Sequence, residues 1–79
     1  MDRYALTEAL LAAGLPAGSF VVGGVHEPDP PALDYWFLRG APGRWEIGPY
    51  ERGRAEVRET YEREADACAR LLAILTGAA

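Results

Sequence analysis

The sequence predicts an α+β fold in which an N-terminal helix and a C-terminal helix pack on one face of a three- to four-stranded antiparallel meander sheet. Apolar residues recur at helical spacing near both ends of the chain. The middle is rich in aromatic and β-branched residues, which alternate between glycine and proline turns. A chain of 79 residues has room for one thin core, so residues 1–79 are expected to form a single domain.

Each end of the chain carries the pattern of an amphipathic helix. Residues 2–14 place Leu6 and Leu10 on one face, and they begin with an aspartate N-cap and end with a glycine. A second helix is expected from about residue 62 to the glycine at position 77. Its buried stripe is predicted to consist of Ala65, Cys68, Leu72 and Leu75, and to be widened by Ala69 and Leu71.

Up to four strands are predicted between the two helices. They cover residues 19–23, 34–39, 44–48 and 55–61. Residues 24–33 are expected to form a loop, because their three prolines cannot donate ladder hydrogen bonds. Gly48-Pro49 marks the point where the third strand bends or leaves the ladder. The short connections favour antiparallel neighbours.

The second strand is apolar on both of its faces. Tyr35 and Phe37 point to one side of the sheet, and Trp36 and Leu38 point to the other. Two helices cover only one side of so small a sheet. One of these pairs is therefore expected to face outward, where another molecule can cover it.

The charge and composition of the chain limit the kinds of molecule that it is expected to bind. The net charge is −4, and the eight basic residues are all arginines in a chain without lysine, asparagine or glutamine, which is typical of a GC-rich genome. Nucleic-acid binding needs a basic face, so no nucleic-acid partner is expected. No stretch reads as a membrane span or a signal peptide, and with one cysteine the expected location is the cytoplasm.

Residues that could carry chemistry are few. His26 lies near Glu27, Asp29 and Asp34 in the proline-rich loop, but this spacing gives no facing geometry for a metal. Cys68 falls within the second helix, where burial is expected. The glycines do not have the spacing of a phosphate-binding loop. The sequence therefore predicts no catalytic residues, no metal and no cofactor.

The aromatic residues on or beside the strands give the strongest functional signal. Most are expected in the core, but an aromatic ring exposed beside an arginine is typical of binding hot spots. The same patch would also suit the face of a homodimer. The predicted partner-binding residues are Trp36, Arg39, Trp45, Glu46, Tyr50, Glu51 and Arg52.

Nearly the whole chain follows a pattern found in small proteins of GC-rich bacteria. The first helix ends in Gly-Leu-Pro, a double glycine follows, and residues 43–47, 50–53 and 65–72 read GRWEI, YERG and ADACARLL. This pattern resembles modules of bacterial polymorphic toxin systems, which stand beside secreted toxins as candidate immunity proteins or accessory domains. Arg63 departs from it, since Ser or Thr is expected there as a helix cap. The resemblance implies no catalytic residues.

The sequence thus predicts a non-enzymatic protein-binding module, in the first place an immunity-type inhibitor of a partner toxin that acts through the exposed sheet face. An acidic inhibitor would meet a basic toxin through charge attraction. The alternative is a homodimerising accessory domain associated with a toxin. A small metal-binding or enzymatic protein is a remote alternative.

Overall fold

The computed structural model of the protein describes residues 1–77 and has the expected α+β fold. Its helices and strands, in chain order, are α1 (Arg3–Ala12), β1 (Phe20–Val22), β2 (Tyr35–Ala41), β3 (Arg44–Glu51), β4 (Arg54–Ala55), β5 (Glu59–Tyr61) and α2 (Glu64–Thr76). A single 3₁₀ turn, Ala17–Ser19, precedes β1. Within residues 1–77 neither helix is long and apolar enough to cross a membrane.

The sheet is mixed, so the expected purely antiparallel meander is wrong in one place. The strands lie in the order β1, β2, β3, and both β4 and β5 pair with the far edge of β3. β1 runs parallel to β2, with Phe20 opposite Trp36, whereas all other pairs are antiparallel. A parallel neighbour requires a long return connection, and residues 23–34 are long enough to provide it.

The predicted fourth strand is divided into β4 and β5, because the ladder breaks opposite Gly48 and Pro49. The amide of Glu56 donates to the carbonyl of Pro49 at 2.9 Å, but proline has no N–H to donate in return. A Cβ at Gly48 would overlap the carbonyl oxygen of Glu56. The pairing register on β3 differs by one residue between β4 and β5. The interruption affects only this edge, because β3 stays paired with β2 through Gly48 and Pro49 and continues to Glu51. The expectation that the third strand ends at Gly48 is therefore wrong.

Both helices begin and end close to the predicted positions. Asp2 caps α1, where its Oδ1 accepts a hydrogen bond from the amide of Ala5 at 2.8 Å. α2 ends at Gly77, whose φ of 74° is the left-handed conformation that glycine adopts readily. Arg63 precedes α2 and provides no side-chain cap. Glu64 and Asp66 in the first turn instead complement the helix dipole.

The buried face of α2 differs from the predicted stripe. Ala67, Cys68 and Leu71 are buried, whereas Ala65 is exposed. The reason is tertiary, because α2 packs against α1 as well as against the sheet. A helix between two neighbours buries two adjacent sides, and helical periodicity alone does not show which sides these are.

A single hydrophobic core joins both helices to one face of the sheet. Every buried sheet member of this core lies on the same side of the strands, so the prediction that both helices share one sheet face is confirmed. The core residues are Leu6, Leu10, Phe20, Val22, Leu38, Trp45, Ile47, Ala67, Cys68 and Leu71.

The outer edge of β1 is closed by the loop that follows it. His26 forms two backbone hydrogen bonds with Val22, each 2.8 Å long, and its ring stacks on Phe20 with the centroids 4.5 Å apart. Its Nε2 donates to the carbonyl of Ala17 at 2.6 Å. The histidine therefore holds the loop against the strand and protects the edge groups of Val22 from pairing with another chain.

Candidate partner-binding face

The side of the sheet that turns away from the helices, called the outer face, is set by strand alternation. Trp36 and Leu38 on β2, and Trp45 and Ile47 on β3, point toward the core. The residues between them therefore point the other way. Those on the outer face are Val21, Tyr35, Phe37, Arg39, Arg44, Glu46, Gly48, Tyr50 and Thr60.

One end of the outer face carries a pair of tyrosines. Tyr35 and Tyr50 are direct partners across β2 and β3. Their rings stack with centroids 4.8 Å apart and an angle of 11° between the planes, and both residues are half-buried. Two rings fixed against each other have little rotational freedom left to lose, so they offer a rigid, amphipathic contact surface.

The centre of the outer face is closed by the chain itself. Phe37 is only 4% exposed, and the guanidinium carbon of Arg39 lies 4.7 Å from its ring centroid. Its partner across the ladder is Gly48, where the carbonyl of Glu56 fills the space beside the backbone. The accessible parts of the outer face are therefore its two ends, and Phe37 is not itself available for contact.

The other end of the outer face carries a charged cluster. Both carboxylate oxygens of Glu46 are engaged: Arg39 Nε lies 3.0 Å from Oε1 and Arg44 Nε lies 3.3 Å from Oε2. The hydrogen bond from Arg39 holds the pKa of Glu46 below its usual value. The glutamate is largely covered, whereas the Arg44 side chain remains 77% exposed. This end therefore presents guanidinium groups oriented by a shared carboxylate.

The structure places the seven predicted binding residues in three groups. Arg39, Glu46 and Tyr50 lie on the outer face, as the prediction requires. Glu51 and Arg52 lie at the turn between β3 and β4, at the border of that face. Trp45 is a core residue, 5% exposed, and Trp36 packs partly buried against the same core. Both tryptophans point away from the outer face, so neither is available there.

The predicted set lacked two residues that form the accessible ends of the outer face. Tyr35 completes the tyrosine stack and Arg44 completes the charged cluster. Strand alternation could have predicted both residues, because side chains two positions apart along a strand point to the same face. Tyr35 is two residues from Phe37 on β2, so it must share the outward direction of Phe37. Arg44 is two residues from Glu46 on β3, so it must lie on the same face as Glu46.

Cys68 and His26, the side chains best suited to nucleophilic or acid–base chemistry, both make structural contacts. Cys68 is fully buried, and desolvation raises the pKa of its thiol to about 11, so thiolate is scarce near neutral pH. His26 uses its ring nitrogen in the contact with Ala17 described above. Among residues 1–77, no three His, Cys, Asp or Glu side chains lie close enough together to hold a metal ion.

A shallow depression lies beside the charged cluster. Its volume is about 190 Å³, and it is lined by Gly43, Arg44, Thr60, Tyr61 and Glu62. Small-molecule sites are commonly about 300–1,000 Å³ and enclose most of the ligand. The depression is smaller and open to solvent, so it does not have the shape of an enclosed substrate pocket.

Comparison with known proteins finds no match: no protein-family model matches the chain, and neither the search of curated proteins nor the search of solved structures gives a significant match. The resemblance to toxin-system modules therefore stays a prediction from residues 43–47, 50–53 and 65–72.

Proposed function

We propose that the chain is a non-enzymatic, cytoplasmic protein-binding module that contacts its partner through the two accessible ends of the outer face. The observation that carries this proposal is the pairing of a stacked tyrosine couple, Tyr35 and Tyr50, with the Arg39–Glu46–Arg44 cluster on one sheet. Tyrosine and arginine are enriched among the residues that dominate binding energy at protein interfaces.

The other surfaces of the sheet are less suited to contact with a partner protein than the outer face is. The opposite side of the sheet is covered by α1 and α2. One edge is closed by the pairing of His26 with Val22, and the other consists of two strands of two and three residues separated by a bulge. Short, interrupted edges do not support the addition of a further strand. Contact through the outer face is therefore favoured over edge pairing.

The partner we propose is a toxin, with the chain acting as an immunity-type inhibitor that covers the toxin's active surface. This choice rests on the sequence resemblance, whereas the outer face supplies a physical means of attachment. A preformed β-sheet and stacked rings lose little entropy on binding, which favours the tight association that an inhibitor needs.

Homodimerisation through the same face is the second candidate. A two-fold interface brings one patch against its own copy, so the patch must be complementary to itself. The charged cluster meets this requirement, because Arg39 and Arg44 present positive charge beside the carboxylate of Glu46. Two copies could exchange these ion pairs while the tyrosine stacks pack together.

The test compares two tyrosines in different places. Tyr50→Ala removes half of the stack on the outer face, and Tyr4→Ala removes a tyrosine that is 64% exposed on α1. The assay measures the affinity of each variant for the protein encoded beside this chain's gene, and rescue of growth when the two are expressed together. We expect Tyr50→Ala to weaken binding by about tenfold or more, as for a hot-spot residue, and Tyr4→Ala to change it little.

The same variants separate the candidates. Sedimentation of the wild-type protein as a dimer, and of Tyr50→Ala as a monomer, would favour self-association. A monomer that binds and neutralises the neighbouring gene product would favour the inhibitor. Equal behaviour of Tyr50→Ala and Tyr4→Ala in both assays would contradict a role for the outer face.

A further inference from the structure

The turn between β3 and β4 holds an arginine in a conformation that arginine seldom adopts. This two-residue loop consists of Arg52, with φ of 53°, and Gly53, with φ of 77°. Positive φ at both positions is the type I′ turn that matches the twist of a hairpin. Asn, Asp and Gly suit its first position, whereas other L-residues are strained there. Arg52 is the one non-glycine residue with positive φ in residues 1–77.

The guanidinium of Arg52 has no carboxylate partner within the described chain. Five arginines lie within 4.0 Å of an acidic side chain, namely Arg3, Arg39, Arg44, Arg58 and Arg70. Arg52, Arg54 and Arg63 form no such pair among residues 1–77. Arg54 sits opposite Glu51 in the ladder, yet the two side chains make no ion pair. The turn thus presents two exposed arginines around a glycine.

We infer that Arg52 anchors a carboxylate on an acidic segment of the protein partner, an inference that rests on the function proposed above. One residue, Glu51, separates Tyr50 from Arg52 along the chain, so a partner segment that covers the tyrosine stack also lies close to the turn. A planar guanidinium recognises a carboxylate through two parallel hydrogen bonds. Asn or Gly would be more stable than arginine at this positive φ. An arginine kept there despite the backbone strain indicates that its side chain has a function.

An acidic protein segment suits the turn better than a nucleic acid does. Phosphate binds guanidinium equally well, but a nucleic acid is held by several basic side chains along one face, and this turn presents only two exposed arginines. Two arginines at one turn fit one or two carboxylates. The class of ligand is therefore a short run of Asp or Glu side chains.

The experiment uses hexaglutamate peptide as the probe and follows backbone amide shifts by NMR. Wild-type protein is expected to show saturable shifts confined to residues 50–55, and Arg52→Asn is expected to weaken this binding by about two- to fivefold, because one exposed charge-assisted pair is lost. Arg63→Gln is the matched control, since Arg63 is also exposed and without an acidic partner in residues 1–77. It is expected to bind the peptide as the wild type does.

Stability provides the second readout. Because Asn tolerates positive φ, Arg52→Asn and Arg52→Gly should unfold at the same urea concentration as the wild type or at a higher one, while binding is weakened. A lower midpoint for both variants would overturn the claim that Arg52 is strained. Absence of shifts at residues 50–55, or an equal loss in Arg63→Gln, would overturn the carboxylate site.

A third arm tests the class of ligand. A thymidine hexanucleotide that binds residues 50–55 more tightly than hexaglutamate would overturn the assignment to an acidic protein segment. These failures are distinct from failure of the proposed function, which Tyr50→Ala tests with the neighbouring gene product. Loss of partner binding by Tyr50→Ala, together with no hexaglutamate shifts at residues 50–55, would support binding through the outer face and would contradict the proposed role of Arg52.

Discussion

Arg3 and Glu64 connect the first turns of the two helices. Glu64 Oε2 accepts hydrogen bonds from the backbone amide of Arg3 at 2.9 Å and from its Nε at 3.1 Å. The same guanidinium donates to the carbonyl of Gly23 at 2.6 Å and lies 5.1 Å from the ring centroid of Trp45. One side chain therefore ties α1 to α2, to the end of β1 and to the rim of the core.

This arrangement predicts that Arg3→Ala destabilises the protein more than loss of an ordinary surface ion pair. The expected decrease in the free energy of unfolding is about 1–2 kcal/mol, because three charge-assisted contacts in a partly buried place disappear together. Urea unfolding measures it. The control is Arg58→Ala, which breaks an exposed pair with Glu56 and should cost less than about 0.5 kcal/mol. Equal costs would show that Arg3 is only a surface charge.

Trp45→Ala is predicted to act on stability. The ring is 5% exposed within the core, so its removal should lower the free energy of unfolding by about 3–5 kcal/mol. Chemical denaturation followed by far-UV circular dichroism measures this loss. Tyr50→Ala, on the outer face, should cost clearly less, because its side chain is half-buried. A Trp45→Ala variant as stable as the wild type would contradict the assignment of this tryptophan to the core.

Gly48→Ala is predicted to disturb the break between β4 and β5. The added methyl group would overlap the carbonyl oxygen of Glu56, which is backbone and cannot rotate away. We expect a loss of about 1–3 kcal/mol, typical of overpacking, together with faster amide exchange in residues 54–61. In the control Gly18→Ala, the new atom meets its nearest neighbour at an ordinary 3.5 Å. Similar losses in both variants would point to backbone entropy instead of the overlap.

Glu59 is predicted to make stability depend on acidic pH. The Tyr61 hydroxyl donates to its carboxylate at 2.5 Å and Arg70 Nε donates at 3.1 Å, and these contacts, the Tyr61 hydrogen bond first, lower the pKa of Glu59 below 4.5. The carboxylate form is favoured in the folded protein. Its contribution is therefore complete above the usual pKa and disappears as the pH falls through the lowered one.

The test compares the wild type with Glu59→Gln across this range. The wild type should be more stable by about 0.5–1 kcal/mol near pH 7, a modest value because the pair is partly exposed, and the difference should shrink as the pH falls below the usual range of a glutamate pKa. Glu56→Gln removes a more exposed partner of Arg58 and should show little change with pH. A difference for Glu59→Gln that grows on acidification would have the wrong sign and would exclude the lowered pKa.

Local patterns in the sequence determined much of this protein. Asp2 and Gly77 mark helix ends through a side-chain oxygen and a left-handed backbone, which are properties of single residues. Gly48-Pro49 indicated the break in the ladder, because a missing N–H acts wherever proline stands. Strand alternation put Tyr35, Phe37 and Arg39 on one face of β2. The register between β2 and β3 then placed Glu46 and Tyr50 beside them.

The tertiary structure decided what depends on distant neighbours. The position of β1 beside β2 follows from the edge of β2 that β3 leaves free. Local patterns did not determine its parallel direction, because the connection of residues 23–34 is long enough for either direction. The location of Trp36 and Trp45 in the core depended on which face the helices covered, since β2 is apolar on both. Closure of Phe37 under Arg39, and the positive φ of Arg52, likewise appear only when the strands are assembled, because both arise from contacts and turn geometry that no single residue specifies.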